Sequence, residues 1–589
     1  MRARSLVPAL VAAGLLAACV DETPLRVVAP PPPPPPKPIV MPVASVSAPV
    51  VPMAPPLDLT IAPDIEARLA KFAPIVLDFD ESKIAPEDKI VLKKAVEAAA
   101  LIHEIFLRQV DPDGPEYHAA LRTDATKAYG AMYFDIMGGR WDELDHDSPF
   151  VGTEKRPAGA GFYPKDMTKD EFEAFVVQNP DQKKAFQSYF TVIRRKEGKL
   201  VAVPYSEAYK EQLEPAAAKL REASAAAKDP SLKNFLALRA AALLTNDYVE
   251  SDKAWMDVKG SIEITLGPYE TYEDQLFQYK ASYEAFVSLR DQEESKRLEV
   301  VGSKMAELEK NLPLDDKYKK DAASRAKGSP IDVVHLLCNA GTSGVQTVAY
   351  NLPNDENIRK DKGSKKVMLK NVLQGKFDQM VKPIAAKVIA EDQLKLLNAD
   401  AVFAYILQHE VAHGLGPGII TLKDGTKSEV NKELKELYGG IEEAKADITG
   451  LVDAQYLIDK GIYPKKFEKE IYVAFLATAF RQMRFGVKEA HGKGVVSSVN
   501  YIMKKGGIVY DAKTSRFKID FGKIKKAVRE LSKEYLTIEA EGNYEGAKAF
   551  FEKYAVVSPE LEKAIATIGT GIPVDITPQF PIYEKSKAW

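Results

Sequence analysis

The stretch YILQHEVAHGLGPG, Tyr405 to Gly418, places two histidines four residues apart with a glutamate directly after the first. At 3.6 residues per turn, His409 and His413 stack on one helix face, so both imidazoles can reach a single ion at about 2.0–2.1 Å. Glu410 is rotated off that line, where it can take a proton from an attacking water instead of filling a coordination position. In 589 residues with seven histidines, a chance HExxH is expected on the order of one time in a hundred. Two histidines do not hold a catalytic zinc, so a third carboxylate or histidine must come from a neighbouring element.

The elements that position these groups are legible nearby. From Asn398 to His413 there is no Gly or Pro, and Val402, Tyr405, Ile406 and Leu407 recur at helical spacing. The segment reads as a helix that stops at Gly414, Gly416 and Pro417. About thirty residues on, GGIEEAKADITG, Gly439 to Gly450, puts Glu443 and Asp447 one helical turn apart. This ExxxD arrangement resembles the third-ligand helix of the gluzincin metallopeptidases, in which Glu443 would ligate and Asp447 would orient a ligand histidine from behind.

Four stretches together resemble the dipeptidyl peptidase III zinc peptidases. EEAKAD, Glu442 to Asp447, is similar to that family's EECRAE or EECRAD motif, with Glu442 and Asp447 as supporting carboxylates. GPYETYED, Gly267 to Asp274, resembles the G-x-x-E-T-Y segment; the resemblance gives Glu270 the substrate's free α-ammonium and Tyr272 an assisting hydroxyl at the scissile carbonyl. YNLPNDENIR, Tyr350 to Arg359, resembles INIPNYDDIR, which implies that Asn351 and Asn354 bind the peptide's N-terminal end. RFGVKEAHGKG, Arg484 to Gly494, places the transition-state histidine at His491. A buried ammonium needs an anion and acceptors, and one Glu with two Asn side chains supplies them.

The likeness covers most of 60–580. The histidine spacing is one residue shorter than the HExxxH of eukaryotic members and matches bacterial relatives. Ala444 and Lys445 stand where the family has Cys and Arg, and Val495 stands in the region of an arginine that follows the active-site histidine in animal members. These departures bear on substrate preference more than on the metal.

Alternating runs read as strands at PIVLDF near 74, at FTVIRRKEGKLVAVPY from 190 with a turn at Glu197 and Gly198, at 261–266 and at 345–350. The Ala-rich 215–245 and most of 380–555 read as helix. The fold class is therefore α+β: a mixed lobe packed against a mostly helical lobe, with a cleft between them. The resemblance adds a β-barrel core to the mixed lobe, zinc to the helical lobe, and width to the cleft. The catalytic region spans 59–589, with the mixed lobe at about 59–295, 335–380 and 570–589 and the helical lobe at about 296–334 and 381–569.

The 81 basic and 84 acidic residues nearly cancel, which argues against nucleic-acid binding. The N-terminus, with Arg2, Arg4, an apolar run and LAAC at Leu16 to Cys19, is a secretory signal over 1–18 that resembles a lipoprotein lipobox. Cys19 would carry lipid, and Val20 after it favours the bacterial outer membrane, facing the periplasm or the surface. A proline-rich spacer over 19–58, with seven consecutive prolines at Pro30 to Pro36, follows. Cys338 then has no intrachain partner and reads as a buried thiol.

The sequence thus points to a monomeric, lipid-anchored enzyme with one zinc ion that releases dipeptides from short peptides with a free N-terminus. A zinc aminopeptidase, a gluzincin-like endopeptidase and a non-catalytic peptide-binding lipoprotein are the alternatives.

Overall fold

The computed structural model describes residues 56–319, 331–487, 490–569 and 571–589. Cys19, the signal segment and nearly all of the proline-rich spacer lie outside the described residues. The chain forms two compact units: one of Glu293–Ile331 and Leu373–Asp575, the other of residues 56–292, Asp332–Val372 and Ile576–Trp589.

The second of these is mixed. Its helix α1 (Pro86–Val110) has Pro86 at the first turn with Glu87 and Asp88, and buries Val91, Leu92, Ala95, Ile102, Ile105 and Phe106. Proline lacks only an amide that the first turn leaves unbonded, and acidic side chains there face the positive end of the helix dipole. Helix α2 (Lys210–Ala226) packs beside it, and α3 (Pro230–Thr245) packs beside α2. The helical reading of 215–245 thus falls on two helices, separated where Asp229 caps α3 by accepting from Leu232 N.

Five strands make the main sheet: β1 (Ile262–Glu270), β2 (Ser282–Arg290), β3 (Ile331–Ala340), β4 (Ala349–Leu352) and β5 (Lys365–Leu369). Their order is β1-β2-β3-β5-β4, in a sheet curled as a half-barrel where a barrel core was expected. The run 345–350 is strand only from Ala349 onward. β1 and β2 are antiparallel, with Gly267 opposite Glu284 and a register shift between Pro268 and Glu270. Such a bulge re-aims the side chains beyond it, and it falls at Glu270. Cys338 is buried in β3, where burial pushes its thiol up to about 12.

The other unit is mostly helical. Its core comprises α4 (Ala399–Ala412), α5 (Tyr438–Asp459), α6 (Phe467–Met483), α7 (Ala490–Lys504) and α8 (Ile524–Ala540). Two short hairpins, Ile419–Thr421 with Lys427–Glu429 and Ile508–Asp511 with Arg516–Ile519, interrupt the helical stretch expected over 380–555. α5 lies at the centre, in contact with α4, α7 and α8. Among the described residues, no helix is long and apolar enough to cross a membrane.

Candidate metal centre and substrate-binding residues

Asn398 caps α4 by accepting from Ala401 N at 2.9 Å. The helix ends at His413, just before the glycine run. α4 approaches α5 where α5 carries glycine: a β-carbon on Gly450 would lie 2.8 Å from the backbone C of Gln408 and N of His409. This close crossing sets Glu442, Glu443 and Asp447 of α5 against the two histidines. α7 approaches the same helix at Gly494, whose β-carbon would lie 3.0 Å from Gly440 O and 3.1 Å from Ala444 Cβ. That crossing explains a small residue at Ala444 and brings His491 to the cluster.

His409 Nδ1 lies 2.7 Å from Asp447 Oδ1, and His413 Nδ1 lies 2.7 Å from Glu442 Oε1. Ionised carboxylates only accept, so each imidazole carries its proton on Nδ1 and turns a lone pair outward on Nε2. Those two Nε2 atoms are 3.0 Å apart, and Glu443 Oε2 is 3.3 and 3.7 Å from them. Two lone pairs and a carboxylate oxygen converging in this way repel one another unless a cation joins them. Ligands at about 2.0–2.2 Å around a tetrahedral ion are separated by roughly 3.3–3.6 Å. The sides of the triangle bracket that spacing to within about 0.3 Å, and Glu443 Oε2 is a buried atom without a well-aligned hydrogen bond. The donor set therefore fits zinc.

Electrostatics agree. Burial alone would push the Glu443 carboxyl up, but hydrogen bonds and charge from His409 and His491 hold it well below the usual range. Burial would lower His409, but Asp447 and Glu443 push it up to about 10, so the cluster favours a cation, proton or metal, between its ligands. Burial opposes ionisation of Glu442 too, and the Lys445 ammonium with His413 brings it down to about 2. Glu410 follows His409 on α4 and is 7% exposed. His491 Nδ1 lies 3.1 Å from Glu443 Oε2. All the predicted metal-site residues are thus brought together in one unit.

The predicted substrate-anchoring residues lie in the other unit, Glu270 and Tyr272 at the end of β1, Asn351 on β4 and Asn354 just after it. The Glu270 carboxylate accepts hydrogen bonds from Tyr272 and Asn354, while burial raises its pKa. Asn354 Nδ2 also donates to Tyr269 O at 3.0 Å. Asn351 Oδ1 is buried without a hydrogen-bond partner, an acceptor waiting for a donor. Tyr272 is 62% exposed.

Three residues were not read as functional from the sequence. Glu284 on β2 is 8% exposed, and burial followed by the charge of Glu270 pushes its pKa well above the carboxylate range. A glutamate inside an apolar run, SYEAFV, was its only signal. Tyr405, taken as an apolar helix position, donates its hydroxyl to Asp447 Oδ1 at 2.5 Å; it lies one turn before His409. Lys445, read as a departure affecting substrate preference, is buried under the metal cluster, 2.9 Å from Glu442.

Two imidazoles converging on a carboxylate oxygen, with a glutamate following the first histidine, form the donor set that the centre of a zinc metallopeptidase requires. Residues 151–450 match peptidase family M49, and the chain belongs to that family. DPP III from Caldithrix abyssi is 47% identical, with a TM-score of 0.84 over 88% of this chain and 99% of that one. Dipeptidyl-peptidase III from Corallococcus sp. strain EGB is 38% identical, with a TM-score of 0.73, covering 90% and 99%. Nudix hydrolase 3 of Arabidopsis thaliana is 38% identical over 576 residues, 88% of this chain and 74% of that longer protein. Dipeptidyl peptidase 3 of Dictyostelium discoideum is 25% identical over 54% of this chain, which spans 52% of its length.

Proposed function

We infer that this chain is a zinc-dependent dipeptidyl peptidase, releasing dipeptides from the free N-terminus of short peptides. The observation that carries the reading is the pair of Nε2 atoms, 3.0 Å apart, facing Glu443 with both rings held from behind by carboxylates. Membership of peptidase family M49, whose metallopeptidases depend on zinc, supports it.

His409, His413 and Glu443 would hold one zinc ion per chain. When bound, zinc acts as a Lewis acid that polarises the scissile carbonyl and makes the attacking water more acidic. Glu410 accepts the water's proton as the oxygen attacks the carbonyl carbon, then delivers it to the departing amine as the C–N bond breaks. His491 and the Tyr272 hydroxyl donate to the developing oxyanion. Glu270 pairs with the substrate α-ammonium, and Asn351 and Asn354 accept from its remaining N–H groups; in this reading their distance from the scissile bond counts out two residues. A peptide engaging both sets of residues implies a two-lobed enzyme with a wide cleft, which is part of the proposal. So are the monomeric state and a lipid anchor at Cys19 that fixes the protein to a bacterial envelope, most directly the outer membrane; LAAC at Leu16 to Cys19 supports the anchor.

The products discriminate among rival peptidases. Mass spectrometry of a hexapeptide digest should show the N-terminal dipeptide first. Release of single residues would indicate an aminopeptidase, and internal cuts without dipeptides an endopeptidase.

A further inference from the structure

Lys445 is 1% exposed, and its ammonium has three N–H donors. Three acceptors converge on it: Ala412 O at 3.0 Å, Leu415 O at 3.2 Å and Glu442 Oε1 at 2.9 Å. The first two are backbone carbonyls at and just beyond the C-terminal end of α4, the helix that carries His409 and His413. The third is the same oxygen that lies 2.7 Å from His413 Nδ1. One cation therefore ties the end of the ligand helix to the carboxylate that orients its second ligand.

We propose that Lys445 is a positioning residue for the metal ligand His413, acting through the shared Oε1 of Glu442. Global stability is a poor reason for such a lysine, because replacing a buried ion pair by packed apolar groups is often neutral or stabilising. Its geometry gives a better one. An unpinned Glu442 could swing its carboxylate away from Nδ1, and His413 would lose the acceptor that fixes its tautomer and aims Nε2 at the ion. The ammonium also donates to two carbonyls at the helix terminus, Leu415 O and Ala412 O, the second of which also accepts from Leu415 N at 3.1 Å. An arginine, the residue the family resemblance places here, would bring the same charge on a planar fork.

The proposal rests on the zinc reading of His409, His413 and Glu443, and the two are separable by measuring zinc directly. Zinc affinity is read by chelator competition in the wild type, Lys445→Met, Glu442→Gln, the double variant and Lys445→Arg, alongside kcat and KM. Wild type that binds no zinc would overturn the zinc reading itself. With zinc bound to wild type, Lys445→Met should bind it about 10- to 100-fold more weakly, with lower kcat and KM changed less than about twofold. In the Glu442→Gln background the same substitution should add little, since both act through one oxygen. Lys445→Arg should recover most of the affinity and fold even where Lys445→Met does not. Wild-type zinc affinity in Lys445→Met, fully additive losses, or a Lys445→Arg as weak as Glu442→Gln would overturn the proposal.

Discussion

Asp447 Oδ1 lies 2.7 Å from His409 Nδ1 while also accepting the Tyr405 hydroxyl. The carboxylate is buried, these two donors take the place of water around it, and its hydrogen bond to Nδ1 makes His409 a stronger donor through Nε2. Asp447→Asn keeps the shape and removes the charge. We expect zinc affinity to fall about 10- to 100-fold, measured by chelator competition; unchanged affinity would show that the contact only fills space.

Glu410 follows a ligand in sequence yet is absent from the triangle of His409, His413 and Glu443. Glu410→Gln should therefore keep zinc and lose at least about a hundredfold in kcat, the scale of general-base removal. Metal content and kcat measured on the same preparation check this. Near-normal turnover would remove Glu410 from the mechanism.

Glu270 and Glu284 lie on the paired strands β1 and β2, and both carboxyls are displaced upward, Glu270 by burial and Glu284 by burial and then the charge of Glu270. A raised carboxyl pKa means that the neutral form is favoured, so falling pH strips the pair of the charge that an α-ammonium needs. kcat/KM should accordingly drop on the acid side, above the usual carboxylate range. Glu270→Gln removes the group that titrates in that limb, so kcat/KM should fall and its remaining pH profile should lose the limb. An acid limb that persists unchanged in this variant would contradict its assignment to Glu270.

Gly450 is where α5 touches the backbone of the ligand helix. The nearest atoms are main chain, so they cannot turn aside as a side chain would. Gly450→Ala should separate α4 from α5, destabilise the protein by about 1–3 kcal/mol and weaken zinc binding. Denaturant unfolding and chelator competition read the two effects; wild-type values in both would mean that the crossing has slack.

The metal cluster was legible because each of its parts is local. His409 and His413 lie one turn apart, as do Glu443 and Asp447, and helical periodicity is strong where Asn398 caps and Gly414 stops the run. The central strands were not legible. β2 and β3 are buried along nearly their whole length, so they lack the polar alternation that marks a half-exposed strand. Glu284 was hidden for the same reason, since only the pairing of β2 with β1 sets it near Glu270. Lys445 was misread because a lysine on a helix usually faces water; its three acceptors come from α4 and α5 and exist only once those helices cross.

The central claim is a zinc peptidase anchored on a free amino terminus. The direct measurement is hydrolysis of a dipeptidyl arylamide by the purified protein, with the amine free or N-acetylated, and with or without a chelator. The account predicts cleavage of the free substrate alone, abolished by the chelator and restored by added zinc. Equal cleavage of the acetylated substrate, or activity that survives removal of the metal, would contradict it.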